Sequence, residues 1–205
     1  MKRAAVLGIF ALVVGAASWT AQGPLPGDVA ITRTLQTLLG DAPPWAFALT
    51  QSALVPLAGV SVGVAALLGW WLRGAVGGAA AVLAYGLALV ADKALRAGLF
   101  VARPAEPLVA VAAPSSSSGL PSTFGLVYGA VFGVALLTAA NTARQQWPAR
   151  AIAAGAILVG SAARVVLGGH WASQMAASVT TGLLLAGLAI RLCAALPALN
   201  AGTRW

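Results

Sequence analysis

Six long apolar stretches dominate this chain, and they make a lipid bilayer its natural solvent. A helix needs about 20 mostly apolar residues to cross a membrane core. Residues 4–19, 44–72, 74–91, 122–143, 151–166 and 172–190 each read as such a span. The 205 residues are 60% hydrophobic and 8% charged, against roughly 25% charged in a soluble domain. That contrast excludes a water-soluble globule, and the hydrophobicity excludes a disordered chain. Pro56 inside the overlong second stretch predicts a kink. The expected fold class is all-α: one domain over residues 1–205, a polytopic membrane bundle of six transmembrane helices.

Charge placement orients the bundle. Lys2, Arg3, Arg73, Arg144, Arg150, Arg191 and Arg204 fall on one side with no acidic residue. Arg33, Lys93, Arg96, Arg103 and Arg164 fall on the other with Asp28, Asp41, Asp92 and Glu106. Basic loops stay cytoplasmic, so both termini are expected inside, and in a bacterial host the membrane is the inner one. The net charge of +8 thus reads as topology, not as affinity for nucleic acid. Trp19, Trp45, Trp70, Trp71, Trp147 and Trp171 stand near span ends, where aromatic belts form. Met1-Lys2-Arg3, an apolar run and Gly15-Ala16-Ala17 also resemble a signal peptide. Removing that stretch would spoil the charge asymmetry, so it is expected to stay as the first span.

Two outer segments join the spans. Within residues 20–43, the spacing of Val29, Ala30, Ile31, Leu35, Leu38 and Leu39 predicts a short amphipathic helix on the membrane surface. Residues 105–121 are loop-like, with Pro107, Pro114 and the run Ser115–Ser118. That serine run reads either as a plain linker or as a mobile rim over a substrate pocket. Cys193 and His170 are single representatives of their types, which rules out an internal disulfide, a cysteine zinc site and a multi-histidine metal site.

The outer cations are the informative cluster. Lys93, Arg96, Arg103 and Arg164 sit at span ends beside His170. Single arginines often snorkel to lipid headgroups, but several cations held together repel unless they share an anion. Their spacing carries a resemblance. Arg96-x6-Arg103-Pro104 resembles the Lys-x6-Arg-Pro first motif of the type 2 phosphatidic acid phosphatase superfamily. Gly119-Leu120-Pro121-Ser122-Thr123-Phe124 falls where that family has Pro-Ser-Gly-His, and Ala163-Arg164-x5-His170-x3-Gln174 is similar to its Ser-Arg-x5-His-x3-Asp motif.

The resemblance implies a phosphatidic acid phosphatase/haloperoxidase-like helical bundle with one pocket at the extracytoplasmic face and no metal or other cofactor. It implies His170 as the nucleophile that forms a phosphohistidine, and Gln174 as the group that orients it. It implies Arg96, Arg103, Arg164 and Ser122 as phosphate-binding residues, with Lys93 one turn before Arg96 as a further candidate. The implied partners are membrane lipids and a lipid phosphate or isoprenoid diphosphate substrate. Phe124 replaces the general-acid histidine, Thr123 a glycine, Ala163 a serine and Gln174 the aspartate. Loss of a general acid costs about 10²–10⁴-fold, and it costs least where the leaving group is itself a phosphate. Tyr128 and Glu106 are distant candidates for supplying the proton. The expected function is a membrane lipid phosphatase; the alternative is a catalytically impaired relative that binds anionic headgroups. The mid-span polar residues Thr50, Gln51, Ser52 and Ser61 are few and uncharged, which speaks against a transporter.

Overall fold

The computed structural model describes residues 2–112, 114–138 and 143–200. Met1, Arg204 and the end of the fourth expected span, residues 139–142, lie outside the described residues, as do the side chains of Lys2, Arg3 and Arg144. Among the described residues the elements are all helical: α1 (Lys2–Ala21), α2 (Asp28–Leu39), α3 (Pro44–Gln51), α4 (Ala58–Gly98), α5 (Thr123–Leu137), α6 (Ala143–Val166), α7 (Ala172–Ala194) and α8 (Pro197–Asn200). Within α1, α4, α6 and α7 the apolar runs are long enough to cross a membrane, while α5 is apolar but shorter.

The second and third expected spans take a different form from two separate helices. Pro56 lacks an N–H donor and cannot continue a helix, so residues 44–72 divide into the short α3, a turn and the first arm of α4. Within α4, Arg73 and Gly74 leave helical geometry, with Gly74 at φ 58° and ψ −144°. The chain folds back there, because Gly69 and Gly77 are in backbone contact and Gly78 lies against Ala66 and Trp70. α4 is therefore a hairpin of arms 58–72 and 75–98. Any side chain at Gly69 or Gly77 would strike the opposite backbone. α6 begins at Ala143, eight residues before the expected span.

α5 is the centre of the bundle. Residues 124–135 are all buried, as expected for a helix apolar on every face. Its Gly125, Gly129 and Gly133 recur every fourth residue and lie against Ser178, Val179 and Leu183 of α7, while Gly182 of α7 meets the α5 backbone in return. Small residues at this spacing let membrane helices approach to backbone contact. The seam matters for the site, since it sets the start of α5 beside the start of α7.

The two ends of the bundle differ in content. α1 leaves Gln22 at one end, where its amide donates to the Phe100 carbonyl. At the other end the start of α1 shares a cavity with Leu137, Leu188 and Arg191, as the antiparallel course of α7 requires. The α4 hairpin turn with Arg73 lies at that second end. Arg96, Arg103, Arg164 and His170 gather at the first.

α2 is a helix, as the spacing predicted, and it is the polar stripe that packs inward. Asp28, Thr32 and Gln36, one turn apart, form its buried stripe, while Ile31, Leu38 and Leu39 are exposed. The reason is its packing partner, the polar outer loop. Gln36 donates to the Ala110 and Val166 carbonyls at 2.8 and 2.9 Å, and Arg33 donates to the Leu108 carbonyl at 2.8 Å.

These contacts yield a stability prediction. Gly77→Ala is expected to cost about 1–3 kcal/mol through overpacking, seen as a lower thermal midpoint in detergent. Gly86, on the same arm with open space around it, gains helix propensity on substitution, so Gly86→Ala should hold or raise the midpoint. Equal effects of the two substitutions would contradict the backbone contact.

Candidate active site

His170 sits in the short connection between α6 and α7 and is 1% exposed. Its Nδ1 lies 2.8 Å from the Gly119 carbonyl oxygen. A carbonyl only accepts, so Nδ1 carries the proton. Nε2 lies 3.3 Å from Nη1 of Arg103; a guanidinium only donates, so Nε2 presents its lone pair. The two contacts agree on one neutral tautomer, with the unprotonated nitrogen facing the cations.

The Gly119 carbonyl is itself held in place. Gly119 N–H donates to the Val101 carbonyl at 2.7 Å. The Gln174 amide packs so closely on Gly119 that a Cβ there would lie 2.7 Å from Nε2 and 2.8 Å from Oε1. Gln174 does not reach His170. Its Nε2 donates to the Ala102 carbonyl at 2.7 Å, and its Oε1 accepts from Trp171 N–H at 3.2 Å. The orienting contact expected from Gln174 is thus made by a backbone carbonyl that Gln174 buttresses.

Arg103 reaches the pocket from the loop after α4. It donates to the Ser117 carbonyl, Ser117 Oγ and the Gly169 carbonyl, each at 2.8 Å. Burial, then the charges of Arg164 and Arg96, lower this guanidinium to about 10. Arg164 ends α6 and folds over Gly169, where a Cβ would lie 3.2 Å from its Cζ. Its buried Nε has no hydrogen-bond partner. Among the described residues neither Arg103 nor Arg164 has a carboxylate partner, since the ion pair present joins Arg96 to Asp92 at 3.1 Å. An unpaired, partly buried guanidinium is costly, and a bound anion relieves that cost.

Arg96, expected to hold phosphate, is committed elsewhere. Besides Asp92 it donates to the Ser118 carbonyl at 3.2 Å, the Pro121 carbonyl at 2.7 Å and Thr123 Oγ1 at 3.0 Å. Thr123 in turn donates to Asp92 at 3.0 Å. Arg96 therefore braces the 118–123 segment that carries Gly119. Lys93 is exposed, and Asp92 pairs with Arg96 instead. Ser122 is fully buried; its Oγ accepts from Gly125 N–H at 3.4 Å and caps α5, and its N–H donates to Ser178 at 2.8 Å.

The proposed proton sources fare differently. Phe124 is buried against Gly160 of α6 and stacks on Tyr128 with ring centroids 4.0 Å apart. The Tyr128 hydroxyl lies 2.5 Å from Ser52 Oγ and 3.2 Å from Ser61 Oγ. It closes the turn after α3 and is spent there. Glu106 is exposed and lines an outer cavity of about 460 Å³ together with Arg103 and Ser115–Ser117.

Three further residues frame the site, and two of them, Asp28 and Gln22, had no visible signal in sequence. Asp28 of α2 is 3% exposed and caps α7, accepting from Ser173 N–H at 2.8 Å and Ser173 Oγ at 2.6 Å. Gln22 pairs with the extended backbone at residues 100–102, donating to Phe100 O and accepting from Ala102 N–H at 3.1 Å. Gly168, at φ 63°, admits the Ala110 carbonyl where a side chain would clash. Among the described residues no group of three or more His, Cys, Asp or Glu side chains is placed to hold a metal ion.

No family model matches the sequence, and no curated protein matches it. Among solved structures, the first transmembrane PAP2-type phosphatidylglycerolphosphate phosphatase from Bacillus subtilis superposes with a TM-score of 0.71. The match covers 96% of this chain and 98% of that one at 20% identity. The fold is that of a PAP2-type phosphatase. The three spaced motifs thus pointed to the right fold. Arg103, Arg164 and His170 from those motifs stand together at one end of the bundle.

A pH prediction follows from the burial of His170. Desolvation, then the charges of Arg164 and Arg103, hold its pKa well below the ordinary value, outweighing the opposite effect of the Gly119 bond. In the unfolded chain it titrates near 6.5. Below that pH the unfolded state takes up a proton that the folded state refuses, so stability is present above about 6.5 and lost as pH falls. The thermal midpoint should drop between pH 7 and pH 5, and drop less in His170→Gln. An equal drop in both would contradict a buried neutral imidazole.

Proposed function

We propose that this protein removes a terminal phosphoryl group from a lipid phosphate or isoprenoid diphosphate, through a phosphohistidine on His170. The observation that carries the reading is the pairing of a lone imidazole, Nε2 outward, with two guanidiniums that have no carboxylate partner among the described residues. The PAP2 fold, and a membrane lipid phosphatase sharing it, support the same chemistry. The site would face the extracytoplasmic side of the inner membrane with six crossings and both termini inside. Arg73, Arg150 and Arg191 at the opposite end agree with that orientation.

In this scheme Arg103 and Arg164 neutralise the phosphoryl oxygens, which otherwise repel a nucleophile. The Nε2 lone pair forms a bond to the terminal phosphorus. The bridging P–O bond breaks and its electron pair leaves on the oxygen. On a diphosphate the departing group is the lipid monophosphate, which needs no proton to leave. Gly119 O stabilises the Nδ1–H as positive charge develops on the ring. Water then attacks phosphorus, the N–P bond returns its pair to Nε2, the water proton passes to solvent and inorganic phosphate departs.

The absence of an imidazole at position 124 shapes substrate preference. Diphosphates should be hydrolysed about 10²–10⁴-fold faster than alkyl phosphate monoesters of equal chain length. Phosphate release from such a panel, in the purified full-length chain, tests this. His170→Ala is expected to lose about 10³-fold or more, and Arg103→Ala and Arg164→Ala to raise KM. Release equal to His170→Ala on every substrate would reject an enzyme. If lipid binding then survived in His170→Ala and vanished in the Arg103→Ala/Arg164→Ala double variant, the chain would be a headgroup-binding relative, a reading that Phe124 and Gln174 favour.

A further inference from the structure

Beside the outer loop runs a lipid-facing groove that the phosphoryl chemistry does not use. It has a volume of about 560 Å³ and lies between α1, the end of α4 and α7, with a lining that includes Gly8, Gly15, Trp19, Leu95, Leu99 and Leu120. That volume falls within the roughly 300–1,000 Å³ of ligand sites. From Gly8 to Trp19 the α1 wall is about 16 Å long at 1.5 Å per residue.

This groove adjoins, through residues that line neighbouring cavities, the outer loop that carries Arg103. Leu99 lines both it and a second cavity of about 450 Å³ that reaches Arg96 and Ser116–Ser118. Phe100, Ser116 and Ser117 line both that cavity and the outer one holding Arg103. The three cavities therefore lie side by side, in order from Arg103, past the serine run, to apolar surroundings. Their polarity falls in the order of a phosphate lipid: charged head, short polar neck, hydrocarbon chain. Small residues on α1 keep the groove open; at Gly15 the nearest side chain to an added Cβ is Leu120, at 3.7 Å.

We propose that the groove between α1, the end of α4 and α7 seats one hydrocarbon chain of the substrate lipid, and that the small residues of α1 set the chain length accepted. The proposal rests on the phosphate-binding reading of Arg103 and Arg164, and it deepens that reading by naming a single-chain subsite. A bulk membrane lipid resting in the groove is the competing occupant.

Equilibrium binding separates the two, and it does not depend on turnover. The probes are prenyl diphosphates of 5 and 15 carbons, added to the full-length His170→Ala protein in detergent. Specific binding is the part displaced by excess inorganic diphosphate. The 15-carbon probe should bind at least tenfold more tightly than the 5-carbon probe. Gly15→Phe should collapse that ratio toward one, and Val13→Phe, at a lipid-facing position of α1 that is 61% exposed, should leave it intact. Equal affinity for both probes, no displaceable binding of either, or equal effects of the two α1 variants would overturn the groove assignment. Phosphate release by the wild type is scored separately, so a binding protein without turnover still tests the groove. An active enzyme indifferent to chain length would defeat the groove alone.

Discussion

A backbone carbonyl on one nitrogen of His170 and a guanidinium on the other fix both the tautomer and the aim of the ring. Much else in the outer half of the bundle serves that arrangement. Gly119 must be a glycine for its carbonyl to lie beneath Gln174. Arg96 spends its donors bracing the segment that carries Gly119. The α5–α7 glycine seam brings that segment beside the start of α7, and Asp28 caps α7 from α2. Shift any one of these and the imidazole loses its direction before it loses its chemistry.

The partner on Nδ1 sets the electrostatics of the pocket. A carboxylate on Nδ1 would add negative charge and raise the basicity of the ring. The Gly119 carbonyl supplies only a dipole, so the local charge balance is set by Arg103 and Arg164. Those two cations, without acidic partners among the described residues, favour an incoming anion and a neutral imidazole at once. The cost shows in the unsatisfied Nε of Arg164. Of the four buried polar side-chain atoms without a partner among the described residues, that one and Trp171 Nε1 belong to the segment that carries His170.

The fold and the outline of the site were legible in the sequence for plain reasons. Apolar runs near bilayer length and the placement of arginines are one-dimensional signals, and so is the spacing of Arg103, Arg164 and His170. The hairpin at Arg73–Gly74 was half visible, because the expected spans already stopped on either side of it. What stayed hidden depends on packing. Arg96 matched a phosphate-binding position by spacing, yet Asp92 one turn earlier and Thr123 across the loop claim its guanidinium. Gln174 matched an orienting position, yet its amide is long enough to bridge Ala102 and Trp171 instead. A carbonyl partner such as Gly119 has no side-chain signature at all. The apolar spacing of α2 is legible as amphipathic, whereas the hydrogen bonds of Arg33 and Gln36 to the outer loop have no one-dimensional signal.

The single histidine makes the central claim directly measurable. With uniformly ¹⁵N-labelled histidine, every imidazole signal of the chain belongs to His170. At pH 7 the spectrum should show a protonated Nδ1 and an unprotonated Nε2, persisting below pH 6, with Nε2 perturbed when orthovanadate is added. A proton on Nε2, an imidazolium at neutral pH, or a ring indifferent to vanadate would contradict an imidazole held by Gly119 and aimed at a bound phosphate.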